Sequence, residues 1–107
     1  MTEMKHYRDR SCVLVKQLIL SEELLLENIL ELWSLGNKIY TEAWCTEFHV
    51  FGVIASNTEH IPLGEVREKC STRFLDLADR EMQEAAVLYK TDLNEAYGKI
   101  IKLHGDT

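Results

Sequence analysis

The chain has 107 residues, 46% apolar and 28% charged, and a formal net charge of −6. That balance fits one globular domain over 1–107 and excludes a disordered segment. Five Gly and one Pro are too few to supply the turns of an all-β chain.

The three cysteines, Cys12, Cys45 and Cys70, are odd in number and show no C-x-x-C spacing. They read as small hydrophobes in a reducing compartment rather than as a disulfide framework. Lys5, Arg8 and Arg10 precede the apolar run Cys12–Leu20 in the manner of a signal peptide, but Lys16 splits the run and no small-residue cleavage site follows. No stretch approaches the ~20 uninterrupted apolar residues of a membrane helix. The expectation is a cytoplasmic protein that makes no membrane contact.

The first predicted helix spans 3–20, with Thr2 as its cap and Glu3 in its first turn. The run Cys12-Val-Leu-Val is β-prone, although a lone strand here would find no partner. Ser21, followed by Glu22 and Glu23, signals the start of a second helix reaching about Leu35. One unbroken helix over 3–35 is the alternative, and the sequence does not choose between them. Gly36-Asn37 reads as a stop, because both residues tolerate positive φ at a helix C-terminus. A third helix is predicted over 38–56, where Tyr40, Ala43, Trp44, Phe48 and Phe51 recur at three- and four-residue steps. After a polar connection over 57–61, Pro62 suits the first turn of the next helix.

That last helix carries the strongest periodicity. An apolar stripe runs from Leu63 through Val66, Cys70, Phe74, Ala78, Met82 and Ala85 to Tyr89, Leu93, Ala96, Ile100 and Leu103. Its mean step of ~3.6 residues is that of a straight α-helix. Forty residues would extend about 60 Å, far more than the width of a domain this size. The predicted helix over about 62–103 must therefore project, bend or pack on a second copy. Thr91-Asp92 is the candidate break, where Asp92-Leu-Asn-Glu95 has capping-box spacing.

Charge is unevenly spread. Residues 21–60 carry seven acids against Lys38 alone, whereas 1–20 carry four bases against two acids. Glu23, Glu27 and Glu31 stand four residues apart on one face of the second helix. They read either as a solvated face partly neutralised by Arg8 and Arg10, or as a stripe that meets a basic partner. Direct nucleic-acid binding is disfavoured at a sequence pI near 5.2. The cluster Lys5, Arg8, Arg10 and Lys16 is the one place it would start.

Chemistry finds little support. No two of His6, His49, His60 and His104 stand three or four residues apart, no glycine-rich phosphate loop occurs, and nothing calls for a metal or cofactor. Cys45 and His49 would neighbour each other on a helix, but their apolar surroundings raise a thiol's pKa rather than lower it. The fold expected is an all-α, three- or four-helix antiparallel bundle with a long C-terminal helix. The function expected is that of a small acidic, non-enzymatic protein-binding homodimer, such as an inhibitor of a nucleic-acid enzyme of the immunity or phage/plasmid antagonist type. Its contacts would come from Glu23, Glu27, Glu31, Tyr89 and Tyr97. The alternative is a small-molecule sensor or enzyme with an inter-helix pocket near Cys45 and His49.

Overall fold

The computed structural model describes residues 2–21 and 24–105, without the Thr2 side chain. Among them the chain forms six helices and no strand: α1 (Thr2–Leu20), α2 (Leu26–Ile39), α3 (His49–Asn57), α4 (Glu65–Glu68), α5 (Thr72–Leu88) and α6 (Lys90–His104). The all-α helical bundle expected from the sequence is what the chain adopts. Thr2 is the first residue of α1, and the side chain that would cap it is not described; Glu22 and Glu23 as a helix start lie outside the described residues.

The β-prone run lies inside α1. Cys12, Leu14, Val15 and Leu18 are buried, spaced to form one face. Each such burial stabilises by roughly 1.5–3 kcal/mol, against the few tenths by which a β-branched residue disfavours a helix. Ser11, wholly buried in this face, donates its hydroxyl to the Tyr7 carbonyl at 2.9 Å, so no polar group is stranded.

Residues 3–35 are two helices. Ser21 closes α1, its N–H donating to Gln17 O at 3.1 Å, and α2 starts five residues later at Leu26 behind an extended Leu25. Leu26, Ile29, Leu32 and Leu35 form the buried face of α2, which packs on α1 and α3.

The predicted stop at Gly36-Asn37 is overturned. Helix α2 runs through both residues to Ile39. Gly36 serves close packing instead, since a Cβ there would lie 2.6 Å from Cγ of the buried Phe48. The Asn37 amide donates to Trp33 O at 3.1 Å, and its carbonyl accepts from Ala43 N–H at 3.1 Å. The third helix predicted over 38–56 is correspondingly shorter: 41–48 is a loop, and only α3 is helical. Side chains there compete for the backbone, with Thr46 donating its hydroxyl to Ala43 O at 2.6 Å and accepting from Phe48 N–H at 3.2 Å. Thr41 takes a positive φ of 30° at the exit from α2.

The single helix predicted over 62–103 is divided in two places. Ser71 caps α5 by accepting from Phe74 N–H at 3.2 Å, which separates α5 from the short α4. Tyr89 (φ −98°, ψ 6°) separates α5 from α6, two residues before the predicted Thr91-Asp92 break. Pro62 is buried and precedes the helix α4 rather than starting it. The longest dimension of the molecule is therefore 45 Å, not about 60 Å.

The core is built by α1, α2, α3 and α6 around Leu14, Ile29, Leu32, Phe48, Phe51, Ile54 and Ile100. Helix α5 stands apart: of its 17 residues only Ala78 is buried. No helix among the described residues is long and apolar enough to cross a membrane.

Candidate functional site

Helix α5 leans over the start of α2 and leaves an open cavity of about 740 Å³ between them. Its apolar walls are Leu24, Leu25 and Leu26 on one side, Met82, Ala86 and Val87 of α5 on the other, with Ile61 and Leu63 at one end. Glu27, Asn28 and Gln83 supply polar groups at the rim. Arg67 clamps Asp79 across one end with two parallel bonds of 3.0 and 3.2 Å. A smaller hollow of about 280 Å³ shares Leu24, Ala86 and Val87 and reaches Lys90, Asn94 and Tyr97. On α5, Val87 and Leu88 are 78% and 73% exposed, and Phe74 and Leu77 are about half exposed further along the helix; Leu20, at the end of α1, is 85% exposed. Large apolar side chains left exposed in this number on one helix mark a candidate contact surface.

A second feature is polar and buried. His104, in the last turn of α6, sits between α1 and the 41–48 loop. Its Nδ1 accepts from Arg8 Nε at 3.0 Å, and its Nε2 meets Glu47 Oε2. The same Glu47 oxygen accepts from the Tyr40 hydroxyl at 2.6 Å. Arg8 also donates from Nη2 to Leu103 O at 2.8 Å, at the negative end of α6. The side chains of His104 and Glu47 are only 4% and 7% exposed. Burial pushes the Glu47 carboxyl upward, but the hydrogen bonds from Tyr40 and His104 reverse this and hold it below its ordinary value. Burial first, and then Glu47, push the Tyr40 hydroxyl up to about 12.

The residues singled out in the sequence are dispersed. Glu23 lies outside the described residues. Glu27 is exposed on the first turn of α2 and lines the apolar cavity. Glu31 is held by Arg10 through bonds of 2.9 and 3.2 Å, so the expected neutralisation comes from Arg10 and not from Arg8. Tyr89 sits at the α5–α6 junction, its hydroxyl accepting from Asn57 Nδ2 at 2.7 Å. Tyr97 is buried inside the fold, stacked on Phe51 at 6.3 Å, with burial pushing its hydroxyl to about 12. The chain's own core takes up the Tyr97 ring.

Cys45 and His49 do not share a helix face. Cys45 is in the loop, and His49 opens α3 with its Nδ1 against Trp44 O. Neither residue lines the apolar cavity or the smaller hollow. Among the described residues no group of His, Cys, Asp and Glu is placed to hold a metal ion. Three of the four bases of α1 are engaged within the chain, Lys5 by Asp9, Arg8 by His104 and Arg10 by Glu31.

The Arg8–His104–Glu47–Tyr40 cluster escaped the sequence reading because its members stand up to 96 positions apart. No local spacing signals it. The α5 cavity left one trace: the stripe of the predicted long helix has more apolar positions than one small domain covers. No family model, curated protein or solved structure matches this chain.

Proposed function

We propose that the chain is a non-enzymatic protein-binding module that works as a homodimer, with the outer face of α5 as its contact surface. The observation that carries this reading is that α5 buries only Ala78 while leaving Phe74, Leu77, Val87 and Leu88 exposed. Phe74, Leu77 and Leu88 share one side of the helix with Arg80, Glu81 and Glu84, at three- and four-residue steps, and Val87 stands at the edge of that side, where it also lines the cavity. The apolar residues lie at both ends of this side, and the charges at its centre. Laid antiparallel across a two-fold axis, Phe74 and Leu77 meet Val87 and Leu88 of the second copy. Arg80 then falls beside the copy's Glu81 and Glu84. A self-complementary surface of this kind is what an isologous dimer requires.

Sedimentation of charge variants tests the arrangement. Arg80→Glu sets like charges against each other and weakens the dimer at least about tenfold; adding Glu84→Arg restores it. A dimer indifferent to both variants contradicts this face. Within the same class, the acidic balance favours a partner with a basic surface, such as a nucleic-acid enzyme held by a small antagonist. Reversing Glu27 and Glu31 to Lys then abolishes partner capture; unchanged capture removes the antagonist reading.

The cavity favours a second reading. Its volume falls in the ~300–1,000 Å³ range of small-molecule sites. An apolar ligand that raises the melting temperature of wild type, but not of Ala86→Trp, supports it.

A further inference from the structure

We propose that Arg8 and His104 form a proton-released clasp between α1 and the end of α6. The inference is independent of the dimer reading. Arginine has donors and no acceptor, so Arg8 Nε donating to Nδ1 at 3.0 Å requires that nitrogen to carry no proton. The ring proton is then on Nε2, where it is donated to Glu47 Oε2. His104 is thus held as the neutral Nε2–H tautomer.

The charged and titratable groups facing the ring are Arg8 from α1, Tyr40 from the end of α2 and Glu47 from the 41–48 loop. Phe48, at the entry to α3, contributes only a ring at 5.7 Å. From its own helix the nearby polar group is the Leu103 carbonyl, already occupied by Arg8.

A proton taken up at Nδ1 replaces the acceptor with a donor and sets a second positive charge against the guanidinium. The Arg8–His104 bond is lost, while the Glu47–His104 contact survives as an ion pair. The two contacts of the ring therefore respond in opposite directions. Protonation of the ring opens the Arg8 Nε–His104 contact between α1 and the last turn of α6, leaves Arg8 Nη2 on the Leu103 carbonyl, and keeps the ring anchored to the loop.

Ring ¹⁵N spectra and amide exchange of the full chain, corrected for intrinsic rates, test this between pH 7.5 and pH 5. At pH 7.5 the ring carries its proton on Nε2. As it protonates, protection of amides 101–105 falls about tenfold relative to 29–35 in α2. H104Q presents an acceptor toward Arg8 and a donor toward Glu47 without taking up a proton, so its protection stays flat. Arg8→Met removes the donors and keeps the stem, and its protection is already low at pH 7.5 and equally flat. An Nδ1–H tautomer at neutral pH overturns the proposal. So does a ring that stays neutral to pH 5, or protection that persists once the ring is protonated. A fall of the same size in H104Q or Arg8→Met also overturns it.

Discussion

Replacing Gly36 with Ala sets two opposing effects against each other. Within a helix the exchange stabilises by roughly 0.5–1 kcal/mol, through the lower entropy of the unfolded chain. At this position, however, the new Cβ would sit 2.6 Å from Phe48 Cγ and 2.8 Å from Phe48 Cβ. Phe48 is wholly buried and cannot swing aside without displacing Phe51 and Tyr40, which pack on its ring at 6.0 and 6.1 Å. Overpacking of this kind costs about 1–3 kcal/mol, so the clash wins by roughly 1–2 kcal/mol. For a domain of this size the melting temperature falls by roughly 5–10 °C. Gly98 is the internal control: it lies in α6, is exposed, and a Cβ there meets nothing within 4 Å. Gly98→Ala gains the propensity term alone and raises the midpoint by a few degrees. Urea and thermal unfolding followed by circular dichroism read both. Gly36→Asn separates packing from a helix-stop role. If Gly36 were a left-handed C-terminal residue, Asn would be tolerated better than Ala; against Phe48, the larger Asn is the worse of the two. A Gly36→Ala protein as stable as wild type, or one less stable than Gly36→Asn, refutes the packing argument.

Three further outcomes follow from specific contacts. Glu47 is held below its ordinary pKa, so its contribution is fully present above pH ~4.5 and is lost as pH falls through its lower folded value; Glu47→Gln flattens that part of a stability-against-pH curve, and an unchanged acid limb contradicts the assignment. Ser71→Ala removes the cap on Phe74 N–H and costs about 1 kcal/mol, with fraying confined to the start of α5 by amide exchange. In an alkaline ultraviolet titration, the Tyr40 and Tyr97 phenols ionise only near pH 12; Tyr40→Phe and Tyr97→Phe each remove one such late step, and the loss of an earlier step instead would contradict their burial.

The fold class was legible in the sequence because helical periodicity is a local property. The span of α1 and the polar connection ahead of Pro62 could be read for the same reason. The boundaries that misled were set by contacts distant in sequence. Gly36 looks like a stop until Phe48 is seen against it. The 38–56 run looks like one helix because Ala43 and Phe48 are buried either way, and the backbone bonds of Asn37 and Thr46 decide for a loop. The stripe over 62–103 is continuous in sequence because α5 and α6 both present apolar residues at helical steps. Ser71 and Tyr89 divide it, and Ser71 was a cap signal open to reading. The His104 cluster was out of reach, since Arg8, Tyr40 and Glu47 come together only through tertiary packing.

The most direct test of the proposed homodimer is the solution mass and shape of the untagged chain, by light scattering coupled to small-angle scattering over a concentration series. The expected result is twice the 12.4 kDa chain mass, with an envelope longer than the 45 Å of one copy and with dissociation promoted by Arg80→Glu. A 12.4 kDa particle of 14.4 Å radius of gyration at every concentration would contradict it.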